Sequence, residues 1–60
     1  MKNYSVIDKR LGNVLIEFNQ LTLLCYLKID VDCIIWDNRK HEEIGYINYK
    51  NDKSNVVLYE

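Results

Sequence analysis

Leu21 to Trp36 reads LTLLCYLKIDVDCIIW, and the fold turns on how this stretch is taken. Its odd positions up to Ile35 are all apolar: Leu21, Leu23, Cys25, Leu27, Ile29, Val31, Cys33 and Ile35. The even positions are mixed, with Lys28, Asp30 and Asp32 in the middle and Leu24, Tyr26, Ile34 and Trp36 outside them. Alternation of this kind predicts extended chain with its odd face buried. One flat strand of this length would span more than about 50 Å, against a radius of gyration of roughly 10 Å for a chain this short. The stretch must therefore bend or turn, and the polar residues Lys28 to Asp32 mark where. A turn around Ile29 would set Cys25 opposite Cys33; a simple bend would leave them apart on one face.

Upstream, Val14 to Phe18 also alternates, with Val14, Ile16 and Phe18 on one face and Leu15 and Glu17 on the other. A two-residue hairpin at Asn19 and Gln20 would pair Phe18 with Leu21, Ile16 with Leu23 and Val14 with Cys25, all apolar, so that register agrees with the pattern. The rival is a helix over residues 11–26, because Leu11, Val14, Leu15, Phe18, Leu21 and Cys25 recur at helical spacing. Against it, Ile16, Leu23, Leu24 and Leu27 would sit on the opposite face. Tyr4 to Ile7 reads as a first strand and Asp8 to Asn13 as a turn, Gly12 and Asn13 both tolerating positive φ. Downstream, residues 37–43 form a polar loop, Ile44 to Tyr49 a strand with Gly45 as a bulge or close-approach point, residues 51–55 a turn, and Val56 to Tyr59 a closing strand. No internal repeat and no low-complexity linker is visible. The chain reads as a single small domain, 1–60. The predicted class is all-β: a small antiparallel meander of five or six short strands, a curled sheet or an SH3-like barrel. The alternative is α+β, with the helix over residues 11–26.

With 60 residues the core is marginal, and small proteins remedy this with disulfides, a metal or self-association. Apolar content of 48% with 28% charged residues is that of a folded chain, and a net charge of -1 argues against both a basic nucleic-acid binder and a strongly acidic mimic of DNA. Alanine and proline are absent, whereas Asn, Lys, Ile and Tyr supply 25 of the 60 residues. Their codons are AT-rich, which points to an AT-rich genome such as that of a low-GC bacterium or its phage. Residues 1–20 lack the pattern of a signal peptide, and Leu21 to Leu27 falls far short of a membrane span. The expectation is a cytoplasmic protein whose thiols stay reduced.

Little in the chain is catalytic by type or spacing. Cys25 and Cys33 match no zinc or redox spacing and read as small apolar residues. Asp30, Asp32 and Glu42 offer carboxylates for a metal-dependent nuclease, but a lone D-x-D in a strand is explained equally well by a solvated stripe. His41 has no visible nucleophile partner, and two glycines make no phosphate cradle. No metal or cofactor is expected, and no enzymatic activity.

The even face of the central stretch exceeds what a small core needs. Leu24, Tyr26, Ile34 and Trp36, with Tyr46, are therefore the expected partner or dimer contacts, since exposed apolar and aromatic patches mark protein–protein surfaces. The expectation is a non-enzymatic protein-binding module, a homodimer, made by a phage or mobile element to inhibit a host defence protein by occlusion. The alternative is a small nucleic-acid-binding β-barrel stacking bases on Trp36, Tyr46 and Tyr49.

Overall fold

The computed structural model describes residues 2–59. It is all-β, one antiparallel sheet of five strands in the order β2-β1-β3-β4-β5. The strands are β1 (Tyr4–Asp8), β2 (Val14–Phe18), β3 (Cys33–Asp37), β4 (Glu42–Lys50) and β5 (Lys53–Leu58). Among the described residues β2 and β5 each have a single neighbour, so the sheet is open and does not close into a barrel. The order departs from a simple meander once: the chain leaves β2 at one edge, crosses β1 and re-enters the sheet as β3.

That crossing overturns two sequence expectations. Leu21–Tyr26 forms a 3-10 helix, and β2 pairs with β1 instead of folding back on Leu21 to Cys25. The helix over residues 11–26 is likewise absent, since Val14–Phe18 is strand. The physical reason is a leucine spacing of three. A 3-10 helix has three residues per turn, so Leu21, Leu24 and Leu27 line up on one side of it. Leu24 is buried, and Leu21 and Leu27 pack half-buried against the same cluster. Beyond Tyr26 the alternation holds: Leu27, Ile29 and Val31 lean on the core and lead into buried Cys33 and Ile35. The core is Val6, Phe18, Leu24, Cys33, Ile35 and Ile47, lying between one face of the sheet and the crossing segment.

The turns follow their residues. β4 and β5 are joined by Asn51 and Asp52, with φ of 54° and 61°, the two positive values a tight antiparallel turn requires. The turn is shorter than the sequence suggested, because the strand resumes at Lys53.

The sheet also contains a repeat that the residues conceal. Shifted by 29 residues, the β1–β2 hairpin maps onto the β3–β4 hairpin, pair for pair: Tyr4↔Phe18 onto Cys33↔Ile47, Val6↔Ile16 onto Ile35↔Gly45, Ile7↔Val14 onto Trp36↔Glu43. The irregularity falls in the same place, leaving Leu15 extra in one hairpin and Ile44 in the other. β1 and β3 pair about Val6↔Ile35, so the two hairpins are related by a near-twofold axis through that pair. β5 has no counterpart in the first hairpin.

Candidate functional site: an open sheet face

Residues paired directly across antiparallel strands share a face, and neighbours along a strand alternate. Tyr4, Val6, Asp8, Cys33, Ile35, Asp37, Gly45 and Ile47 thus point to the core side. The other face carries Ser5 and Ile7 from β1, Ile34 and Trp36 from β3, Tyr46 from β4 and Val57 from β5. Its centre is a direct ladder, Ile7↔Ile34↔Tyr46↔Val57, running across four strands. The crossing segment packs its apolar residues on the core side, so among the described residues no layer lies over this second face. Ile7, Ile34 and Trp36 are half-buried by their neighbours alone, while Tyr46 and Val57 are 37% and 39% exposed. An antiparallel sheet with one solvated face ordinarily alternates apolar with polar side chains, and here the solvated side is apolar at its centre.

The rim of the face is polar and of mixed charge, with carboxylates at one end and Lys50 paired with Lys53 at the other. The Tyr59 ring lies 6.1 Å from Tyr46, tilted by 49°, and its hydroxyl donates to the Glu43 carboxylate. That hydrogen bond, with burial and the Glu43 charge, pushes the Tyr59 phenol above its ordinary value. Ser5 is buried in the same face and receives a hydrogen bond from Asn38 Nδ2 at 2.8 Å. Glu17, opposite Ser5, adds a second carboxylate.

The expected contact residues divide between three places. Ile34, Trp36 and Tyr46 come together on the open face, Ile34 directly opposite Tyr46. Leu24 does not join them: it is 5% exposed and belongs to the core, because the 3-10 helix turns it inward. Tyr26 is 79% exposed on that helix, away from the open face. Sequence reasoning missed Ile7, Val57 and Tyr59; the parity of Ile7 and Val57 within their strands was the available signal, but not the strand order that aligns them.

The remaining candidates do not converge. Tyr49 pairs with Ser54 on the core side, so it cannot stack with Trp36 and Tyr46 on one platform. Asp30 and Asp32 lie before the start of β3, whereas Glu42 pairs with Asp37 at its far end. Among the described residues no group of three metal-ligating side chains assembles. Asp32 instead accepts the Tyr49 backbone N–H at 2.8 Å. His41 sits exposed in a turn at φ 55°. Cys25 is exposed and Cys33 buried, both as free thiols. Burial, aided by the negative charges of Asp8, Asp32 and Asp30, pushes the Cys33 thiol up. Among the described residues no helix is long and apolar enough to cross a membrane.

No protein-family model, no curated protein and no solved structure matches this chain.

Proposed function

We propose that the protein is a non-enzymatic protein-binding module that docks a partner protein on the open sheet face and acts as a homodimer. The observation that carries this reading is the uncovered ladder Ile7, Ile34, Tyr46 and Val57 with Trp36 beside it. Aromatic side chains at the centre of an apolar patch with a polar rim are the usual anchors of protein contacts, because they bury much area at small entropic cost. The mode of action we propose is occlusion of a working surface on a host protein. A phage or mobile-element inhibitor of host defence fits the AT-rich composition, and that part of the reading rests on composition alone.

Nucleic acid is the less favoured ligand of the same face. Trp36, Tyr46 and Tyr59 offer rings, but stacking proteins add a basic groove, and here Glu17 and Glu43 flank the aromatic end of the face while Lys50 and Lys53 sit at its other end. The test compares the wild type with Trp36→Ser/Tyr46→Ser, each checked for folding by circular dichroism. A defined host polypeptide retained by the immobilised wild type and released by the double variant supports the reading. Equal retention by both removes the open face as the site. Salt-dependent quenching of Trp36 emission by single-stranded oligonucleotides would transfer the site to nucleic acid.

A further inference from the structure

Under the near-twofold, the outer edge of β2 is the counterpart of the outer edge of β4. The β4 edge is filled by β5, which pairs from Lys50 up to Gly45 and ends with the Tyr59 N–H donating to the Ile44 carbonyl at 2.8 Å, at the bulge. The matching carbonyl on β2 is that of Leu15, and among the described residues no strand pairs with that edge. All five aligned residues of the two edges differ, and the pair Ile16/Gly45 bears on how a strand can lie against them. A Cβ on Gly45 would run into the Val57 carbonyl and Leu58, so β5 crosses β4 closely there. Ile16 stands at the matching place on β2 and bars that crossing, so a strand on β2 must lie flatter.

We propose that the outer edge of β2 pairs antiparallel with β2 of a second copy of this chain, about a twofold axis at Ile16, joining two sheets into one of ten strands. The proposal rests on the self-association put forward above and names its surface. Native edge strands are commonly guarded by lysine, proline, other charges or a bulge; Val14–Phe18 has no lysine or proline, its one charge is Glu17, and its bulge at Leu15 matches the one at Ile44 beside which β5 already pairs. Val14, Leu15 and Ile16 are all exposed on it. Centred on Ile16, the pairing sets Leu15 of each copy opposite Glu17 of the other. Centred on Glu17, it would oppose two carboxylates, which is unfavourable. Beside this edge a groove is lined by the apolar Ile16, Phe18, Leu23, Tyr26 and Leu27 together with the polar Lys2, Glu17, Asn19 and Gln20. The twofold puts both 3-10 helices on one side of the joined sheet, with Leu23 and Tyr26 of each copy over the seam, which accounts for the large exposure of Tyr26 in the single chain. Pairing β2 with itself also closes, whereas pairing β2 with β5 of another copy would continue head to tail into filaments.

The experiment uses Ile16→Cys and Ser54→Cys, each in a Cys25→Ser background, under mild oxidation at micromolar concentration, with light scattering on the wild type and on Leu15→Lys. The expected wild-type mass is twice 7.2 kDa, and Leu15→Lys falls to a single chain. The Ile16→Cys thiols cross-link about a hundredfold faster than those of Ser54→Cys, because pairing raises their effective concentration from micromolar towards millimolar. Equal rates at the two positions mean random collision and overturn the edge pairing. A dimer that does not cross-link at Ile16→Cys but falls apart on Tyr46→Lys puts the seam on the open face, so self-association survives and the edge pairing fails. A wild type that stays at one chain removes both, and leaves partner capture by the open face to its own experiment.

Discussion

Asp8 and Asp37, 29 residues apart, hold two turns of the same design. Asp8 Oδ1 accepts the N–H of Arg10 at 2.8 Å and of Leu11 at 3.0 Å, and its carbonyl accepts Gly12 N–H at 2.8 Å. Asp37 Oδ1 accepts Arg39 N–H at 2.8 Å and Lys40 N–H at 3.2 Å, and its carbonyl accepts His41 N–H at 2.8 Å. Each turn ends on a residue of positive φ, Gly12 at 78° and His41 at 55°. An aspartate does this because its short carboxylate reaches the N–H groups two and three residues on. In both turns the residue after the aspartate is tied to the residue that leads into the other hairpin, Lys9 N–H to the Asp32 carbonyl and Asn38 N–H to that of Asn3.

The Asp37 cap makes stability depend on acid. Burial opposes its ionisation, but the N–H groups of Arg39 and Lys40 and the Arg39 guanidinium, with Nε 3.6 Å away, outweigh that and hold the carboxyl below its ordinary value. A depressed carboxyl stabilises the fold above the unfolded value, about pH 4, and the contribution drains away as pH falls through the folded one. Urea midpoints measured between pH 7 and pH 2.5 are expected to decline below about pH 4, and less steeply in Asp37→Asn. Parallel curves for the two proteins would show that the acid limb arises elsewhere. Asp8→Ala, which strands two N–H groups, is expected to cost about 1–2 kcal/mol at pH 7.

The two thiols should react apart. Cys25 lies exposed on the 3-10 helix, and Cys33 is 1% exposed at the start of β3 with its Sγ 3.4 Å from the Val31 carbonyl. A chromogenic disulfide reagent is expected to titrate one thiol in buffer and two in denaturant, with the slow thiol following the unfolding rate. Cys25→Ser would abolish the fast phase. Two fast thiols would contradict the burial of Cys33.

Gly45→Ala tests how closely β5 crosses β4. The added methyl meets the Val57 carbonyl, a backbone atom that cannot swing aside. The expected loss is about 1–3 kcal/mol, with faster amide exchange along Lys53–Leu58 and little change along β1. Unchanged exchange in β5 would mean that the strand adjusts without leaving the sheet.

The leucine spacing of the 3-10 helix can be read by truncation. Leu24 fills the core and Leu23 is exposed. Leu24→Ala is expected to lose about 2–4 kcal/mol and Leu23→Ala under about 0.5 kcal/mol, by denaturant unfolding. The strand reading of this segment, which buries odd positions, requires the reverse order.

Strand identity was legible wherever alternation and turn residues agreed. Val14 to Phe18 alternates after Gly12 and Asn13, and Ile44 to Tyr49 precedes Asn51 and Asp52; both are strands in the structure. Leu21 to Tyr26 misled because five of its six side chains are apolar and the sixth, Thr22, itself favours strand, while the period of three shows only in Leu21, Leu24 and Leu27. Parity carried through that helix put Leu24 and Tyr26 with Ile34 and Trp36, whereas parity within β3 grouped Ile34 and Trp36 correctly. The alignment of Ile34 with Tyr46 needed the strand order, which no local pattern encodes. The repeat stayed hidden because hydrogen-bond geometry recurs where side chains do not: of fifteen aligned positions from Tyr4 to Phe18, only Asp8/Asp37 and Arg10/Arg39 are identical.

The crossing of β1 by the segment between β2 and β3 also orders the folding reaction. The three hairpins β1–β2, β3–β4 and β4–β5 close over short loops, events of about 1–10 μs. Only β1 against β3 requires ends far apart in the chain to meet, and the entropy of closing that loop falls on a single step. The barrier should therefore lie where Val6 first meets Ile35, with the hairpins already formed and Leu24 settling onto the core afterwards.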